Sequence, residues 1–196
     1  YKGSVLIPEL LSDGHEIVNV DNQWFGHYLP VDPKLKNLKI DIRDTEKIPL
    51  DDIEAIIHLA NIANDPAVEL NPTLSWEVNV LAGQQLMDKA KRKGVKQFVF
   101  ASSGRVYGIK NEPNVTEDLP LLPISVYNKT KMVAERVFLS YKNNMQIHCI
   151  RPATVCGLSP RMRLDVSVNM LTFQALKNGK ITVFGGEQTR PNIHIK

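Results

Sequence analysis

KQFVFAS (residues 96–102) carries a continuous apolar core, Phe98, Val99 and Phe100, bounded by polar residues and of strand rather than helix length. Runs of the same kind recur at HEIVNVD (15–21), AIIHLA (55–60) and QIHCIRP (146–152). Between them lie segments with apolar residues at helical spacing: SVLIPELLSDG (4–14), WEVNVLAGQQLMDKAKRKG (76–94) and VYNKTKMVAERVFLSYKNN (126–144). The first two of these end in Gly14 and Gly94, where a helix takes its C-cap. Strand, helix, strand in this order predicts right-handed βαβ crossovers, hence a doubly wound α/β fold with a parallel sheet covered by helices on both faces. Ligands of such sheets lie beyond the carboxyl ends of the strands. The residues that follow each apolar run are therefore where chemistry is expected.

Composition is that of a soluble globular protein. The chain has 196 residues, 43% hydrophobic and 23% charged, with a formal net charge of +3. Both signs are spread along the sequence without a long basic run, which speaks against nucleic acid or an anionic membrane as partner. No apolar stretch approaches the ~18 residues of a membrane span. Cys149 and Cys156 have no metal-site spacing and read as reduced structural thiols, so a cytoplasmic protein is expected. LNPTLS (70–75) and EDLPLLPIS (117–125) read as Pro-punctuated loops, and KITVFG (180–185) as a strand. After about residue 153 the chain becomes loop-rich and basic (SPRMR). That shift divides it into a first domain, 1–153, and the beginning of a second, 154–196.

YKGSVLIPELLSDG reads as the tail of a glycine-rich turn that runs directly into a helix. In a dinucleotide-binding unit Gly3 would be the last glycine of that turn, the one that lets helix and strand pack closely. Asp21 closes the run HEIVNVD about 18 residues later, near the spacing at which a carboxylate meets the adenosine ribose hydroxyls; a strand-ending Asp also simply starts turns. An acid there repels a 2′-phosphate and so favours NAD over NADP. Asp41, in KIDIRD, is placed either against the adenine amino group or in a solvated turn. In SVYNKTK (125–131) Tyr127 and Lys131 lie four apart, one helical turn. That spacing alone fits an exposed helix face as well as it fits an acid/base pair. If the ammonium lies beside the phenol it favours the phenolate, and each unit below the ordinary value of ~10 corresponds to about 1.4 kcal/mol.

The ordered motifs YKGS, VDN, DIRD, HLAN (58–61), NV (79–80), SSGRVYG (102–108), YNKTK (127–131), RPATVCG (151–157) and RPNIHI (190–195) resemble the extended short-chain dehydrogenase/reductase family, in particular its NAD-dependent epimerase/dehydratase group. The resemblance runs over nearly the whole chain. It implies a Rossmann-like fold, NAD as cofactor, a nucleotide-diphosphate sugar as substrate and a homodimer. It also implies that a strand and two glycines belong before Tyr1, and that the substrate domain continues beyond the IH motif. By the same resemblance, Ser103, Tyr127 and Lys131 form the catalytic centre, with Ser103 hydrogen-bonded to the reacting sugar oxygen. Cofactor contacts are implied for Gly3, Asp21, Asn22, Asp41, Ile42, Leu59, Ala60, Asn61, Asn79, Tyr127, Lys131 and Pro152. Substrate contacts are implied for Ser103, Arg105, Thr154, Arg161, Asn169 and Arg190. The arginines suit a diphosphate; for Arg161 and Arg163 a solubilising loop charge is the alternative. His58 and His194 are expected to be structural, Ser102 to satisfy backbone groups at the strand end.

In the resemblance, Tyr127 takes the proton of a sugar hydroxyl while hydride leaves for NAD, giving a keto sugar, 4-keto in the commonest case. The dehydratases of the group carry Asp and Glu directly after the catalytic Ser or Thr. Here those places hold Gly104 and Arg105, and an arginine stays protonated, so elimination and decarboxylation lack their acid/base group. Epimerisation needs no further catalytic group and is preferred. Net oxidation by a related dehydrogenase, or a non-catalytic NAD-binding module, are the alternatives.

Overall fold

The run KQFVFAS contains strand β4, Gln97–Ala101, in a computed structural model that describes residues 1–196. It pairs in parallel with β3, Ala55–His58, in the register Ala55↔Gln97 to His58↔Phe100. On its other side it pairs in parallel with β5, Gln146–Ile150, from Gln97↔Gln146 to Ala101↔Ile150. Phe98 and Phe100 lie two apart and so point to one face, where both are fully buried. Ile57 and Ile150, at 41% and 54% exposure, stay partly open to solvent.

Two helices cover the phenylalanine face. Helix α4, Ala82–Lys93, supplies Leu86, Met87 and Ala90 to the core; helix α5, Val126–Leu139, supplies Ala134 and Phe138. The rings of Phe98 and Phe138 meet edge-on with centroids 5.2 Å apart, and those of Phe100 and Phe138 at 4.8 Å. Burial of each such ring stabilises by about 1.5–3 kcal/mol. Gly83 makes this packing possible, because a Cβ there would stand 2.6 Å from Phe138 Cζ. Helix α4 stops where expected: Gly94 takes φ +74° and its amide reaches back to Lys91 O, while Lys91, Arg92 and Lys93 fill the last turn against the helix dipole. Ser125 caps α5, its hydroxyl accepting from the Asn128 amide.

Two expected loop and strand assignments are corrected. LNPTLS is not a loop: α2, Asp65–Leu70, and α3, Pro72–Trp76, flank Asn71, whose side chain caps α3 by accepting from Leu74 N at 3.0 Å. Pro72 sits at the first helical position, where the missing N–H costs nothing. A π-helical turn, Glu77–Leu81, carries α3 on into α4. KITVFG is not a strand; its apolar residues are exposed, and the strand of this region is β7, Asn192–His194, paired in parallel with β6, Thr154–Cys156.

Strand β1, Ile17–Asp21, pairs with β2, Leu35–Lys39. Helix α1, Gly3–Ser12, precedes β1, and α6, Ser167–Asn178, lies between β6 and β7. The chain divides into two compact units. One holds residues 1–19, 23–37 and 152–196; the other holds 20–22 and 38–151. No helix is long and apolar enough to cross a membrane.

Candidate active site

Helix α5 presents Tyr127 and Lys131 one turn apart on a buried face, not on an exposed one. Lys131 is only 3% exposed. Its ammonium donates to Ala101 O at 2.7 Å and lies 4.6 Å from the centroid of Phe100 and 5.9 Å from that of Tyr127. With its amide turned to satisfy both atoms, Asn61 accepts from Lys131 Nζ at 3.3 Å and donates to Ile62 O at 2.9 Å. A buried ammonium requires such oxygen partners to remain charged. Tyr127 is half-buried and packs on Ile62, Val68 and Val78. Ala101, which holds the lysine, is two residues before Ser103. Lys131 thus binds the strand end that delivers the serine.

Ser103 caps a 3-10 turn, Gly104–Tyr107, with its hydroxyl accepting from Arg105 N at 3.2 Å. Arg105 extends to Asp65, Nη1 to Oδ2 at 2.7 Å. Asn79, in the π turn and fully buried, accepts from Ile62 N at 2.8 Å and donates to Ile62 O and Thr130 Oγ1. It ties the loop bearing Leu59, Ala60 and Asn61 to α5. Asp41 is gripped by Arg43, whose Nε and Nη2 reach its two oxygens at 3.0 and 2.9 Å. That side-chain bond holds the carboxyl below its ordinary value. Ile42 packs into the core beside it, while Asp21 is exposed at the end of β1 and Asn22 is half-buried.

The remaining expected site residues belong to the other unit. There Asn169 is 4% exposed, accepts from Gly157 N at 2.9 Å and donates to Arg163 O at 2.9 Å and to Tyr1 Oη at 3.3 Å, so its side chain braces a loop. Arg161 lies over the ring of Phe25 at 3.9 Å, and Arg163 pairs with Asp165. Thr154 opens β6, Pro152 and Gly3 are half-buried, and Arg190 is exposed. Burial lowers the pKa of Lys2, and the charge of Arg163 adds to the effect.

Sequence reasoning missed Glu135, Arg151 and Asp65. Glu135 follows Lys131 by one further turn, and that spacing was the available signal. Ser102 differs from expectation: its amide does serve the backbone, donating to Ile150 O at 2.8 Å, but its hydroxyl binds the Glu135 carboxylate.

A parallel α/β sheet with a Tyr and a buried Lys one turn apart, and a Ser at the end of the preceding strand, defines a short-chain dehydrogenase/reductase type of site. The chain belongs to the NAD dependent epimerase/dehydratase family, whose model matches residues 1–196. It is 32% identical to the UDP-glucose 4-epimerase of Lactobacillus helveticus over 100% of this chain and 64% of that protein. Among solved structures it resembles UDP-N-acetylglucosamine 4-epimerase from Methanobrevibacter ruminantium M1, in complex with UDP-N-acetylmuramic acid. The TM-score is 0.89 at 27% identity, over 100% of this chain and 66% of that one. MoeE5, in complex with UDP-glucuronic acid and NAD, gives a TM-score of 0.84 at 29% identity, over 100% and 65%. The chain therefore spans just under two thirds of the length of these relatives. NAD is the cofactor of the family.

The residues present fit that cofactor. Helix α1 opens at Gly3 with no side-chain cap and no acid in its first turn, the chemistry that suits a diphosphate. In the other unit, Asp21 offers a carboxylate for ribose hydroxyls, and Lys131 a cation held in place by Ala101 O.

Proposed function

We propose that the protein is an NAD-dependent nucleotide-sugar epimerase working through a transient keto sugar, with Tyr127 as the base. One observation carries this: the ammonium of Lys131 is buried, held by Ala101 O at 2.7 Å, and 5.9 Å from the ring centroid of Tyr127. A fixed cation at that distance favours the phenolate, and a phenolate is the form that accepts a proton. Tyr127 takes the proton of the sugar hydroxyl and later returns it. Ser103 donates to the same sugar oxygen and fixes its direction. Bound NAD supplies the hydride acceptor and donor. Asp21 and Lys131 are the residues that would hold it, with Asn61 keeping Lys131 in position.

Epimerisation is favoured over elimination by the residues after Ser103. Gly104 has no side chain, and the Arg105 guanidinium is engaged with Asp65, so neither supplies a titrating acid or base. Arg190, with Arg161 and Thr154, is the assigned contact for the nucleotide diphosphate and sugar. The 4-keto position, a homodimer and a cytoplasmic setting complete the proposal and rest on the family resemblance.

The test uses the full-length protein with NAD and a panel of UDP-, dTDP-, GDP- and CDP-hexoses, with sugar products and NADH quantified together. An isomeric sugar without net NADH is expected. Tyr127→Phe should abolish turnover and keep NAD binding; wild-type turnover in that variant would overturn the mechanism.

A further inference from the structure

Glu135 is the most deeply buried carboxylate of the site region, at 1% side-chain exposure, and the mechanism above does not use it. It continues the helix face of Tyr127 and Lys131 by one more turn. Its Oε1 accepts from Ser102 Oγ in a short contact. Arg151, at the end of β5, closes a fork on it: Nε lies 3.0 and 3.2 Å from the two oxygens, and Nη2 lies 2.7 Å from Oε2. Nη1 of the same arginine donates to Tyr107 Oη at 2.7 Å, and its guanidinium carbon lies 5.0 Å from the centroid of that ring.

The partners are placed on both sides of Ser103. Ser102 precedes it, and Tyr107 ends the 3-10 turn that Ser103 caps. Segment 101–107 is therefore pinned to α5 at three points: Ala101 O on Lys131, Ser102 on Glu135, and Tyr107 through Arg151 on Glu135. Stability alone is a weak reason for such a cluster, since a buried ion pair is often matched or exceeded by apolar residues of the same volume. What apolar residues lack is direction. Hydrogen bonds fix where the strand end sits relative to the helix, and through it where the Ser103 hydroxyl stands relative to Tyr127.

We infer that Glu135 and Arg151 are positioning residues, which act through Ser102 and Tyr107 to hold Ser103 in register with Tyr127 and Lys131. This role rests on the acid/base centre proposed above. Displacement of a catalytic group by about 1 Å costs on the order of 10²-fold in rate. Loss of the network should accordingly lower kcat and leave KM nearly unchanged, because it shifts the Ser103 hydroxyl relative to Tyr127 without removing a substrate contact.

The experiment compares three variants of the full-length protein with wild type, on the nucleotide hexose that the panel above identifies as substrate, with NAD: Glu135→Met with Arg151→Met, Ser102→Ala, and Tyr127→Phe. The double variant removes both charges together, so no uncompensated ion is left buried. It should lose about 10- to 100-fold in kcat with KM within about twofold of wild type. Ser102→Ala keeps the ion pair and the fold, and should lose about tenfold in kcat in the same pattern, which decides the question even if the double variant does not fold. Wild-type kcat in Ser102→Ala, or in a folded double variant, would overturn the positioning role. Wild-type turnover in Tyr127→Phe would instead overturn the acid/base centre itself. The two failures are thus separable.

Discussion

His58 is expected to make the stability of this protein fall between about pH 6.5 and pH 3, by an amount that the structure allows to be worked out. It ends β3, is 3% exposed, and sits among Phe98, Phe100 and Phe138 with ring centroids 5.6, 5.8 and 5.8 Å away. Its Nε2 is buried without a hydrogen-bond partner. Burial first, and the charge of Lys131 second, push its pKa down from 6.5 to about 3. In the unfolded chain the imidazole takes up its proton near the ordinary value of ~6.5. Below that pH the unfolded state binds the proton and the folded state does not, so stability is lost as pH falls, at about 1.4 kcal/mol per pH unit. Between pH 6.5 and 4.5 the loss is about 2–3 kcal/mol, and near pH 3 it levels off at about 5 kcal/mol. Carboxylates such as Asp41, held below its ordinary value by Arg43, also weaken the protein in acid. The measurement is therefore a difference. Urea midpoints of wild type and His58→Phe are determined at pH 7.5 and 4.5, and the variant, which has no titrating group at this place, should lose about 2–3 kcal/mol less on acidification. Equal losses in the two proteins would refute the reasoning, since they would mean that the folded protein protonates His58 as readily as the unfolded chain does.

Burial, reinforced by the charge of Glu135, pushes the Cys149 thiol up to about 12. Iodoacetamide at pH 8 should leave that cysteine unmodified in the native protein and alkylate it once the protein is unfolded, as read by peptide mass spectrometry; labelling at the rate of an unfolded thiol would contradict this. Gly83→Ala drives a methyl to 2.6 Å from the Phe138 ring and should destabilise by about 1–3 kcal/mol. Gly94→Ala meets no atom within 4 Å and should cost only the roughly 1 kcal/mol of its left-handed backbone, and thermal denaturation of the pair checks both values.

The strands were legible where apolar residues run together. HEIVNVD, AIIHLA, KQFVFAS and QIHCIRP contain β1, β3, β4 and β5, because a short β-branched or aromatic run between polar ends has few other ways to be buried. KITVFG has the same local pattern yet stays irregular and exposed, since no neighbouring strand pairs with it. LNPTLS carries a proline that signals a turn, but Asn64 and Asn71 each cap a helix beside it, and the caps decide the outcome.

The alternation of β1, β3, β4 and β5 with helical segments, the helix stop at Gly94 and the alignment of Tyr127 with Lys131 are local, periodic features, and the sequence alone determined them. Tertiary structure alone decided that this helix face is buried and that Ala101 O, rather than water, holds the ammonium. It also decided that Glu135 and Arg151 meet Ser102 and Tyr107. The physical reason is sequence separation. Spacing along the chain places side chains on a common face of one helix, but contacts between residues 102, 107, 135 and 151 form only when the sheet brings two strand ends against that helix. No local periodicity records such a meeting.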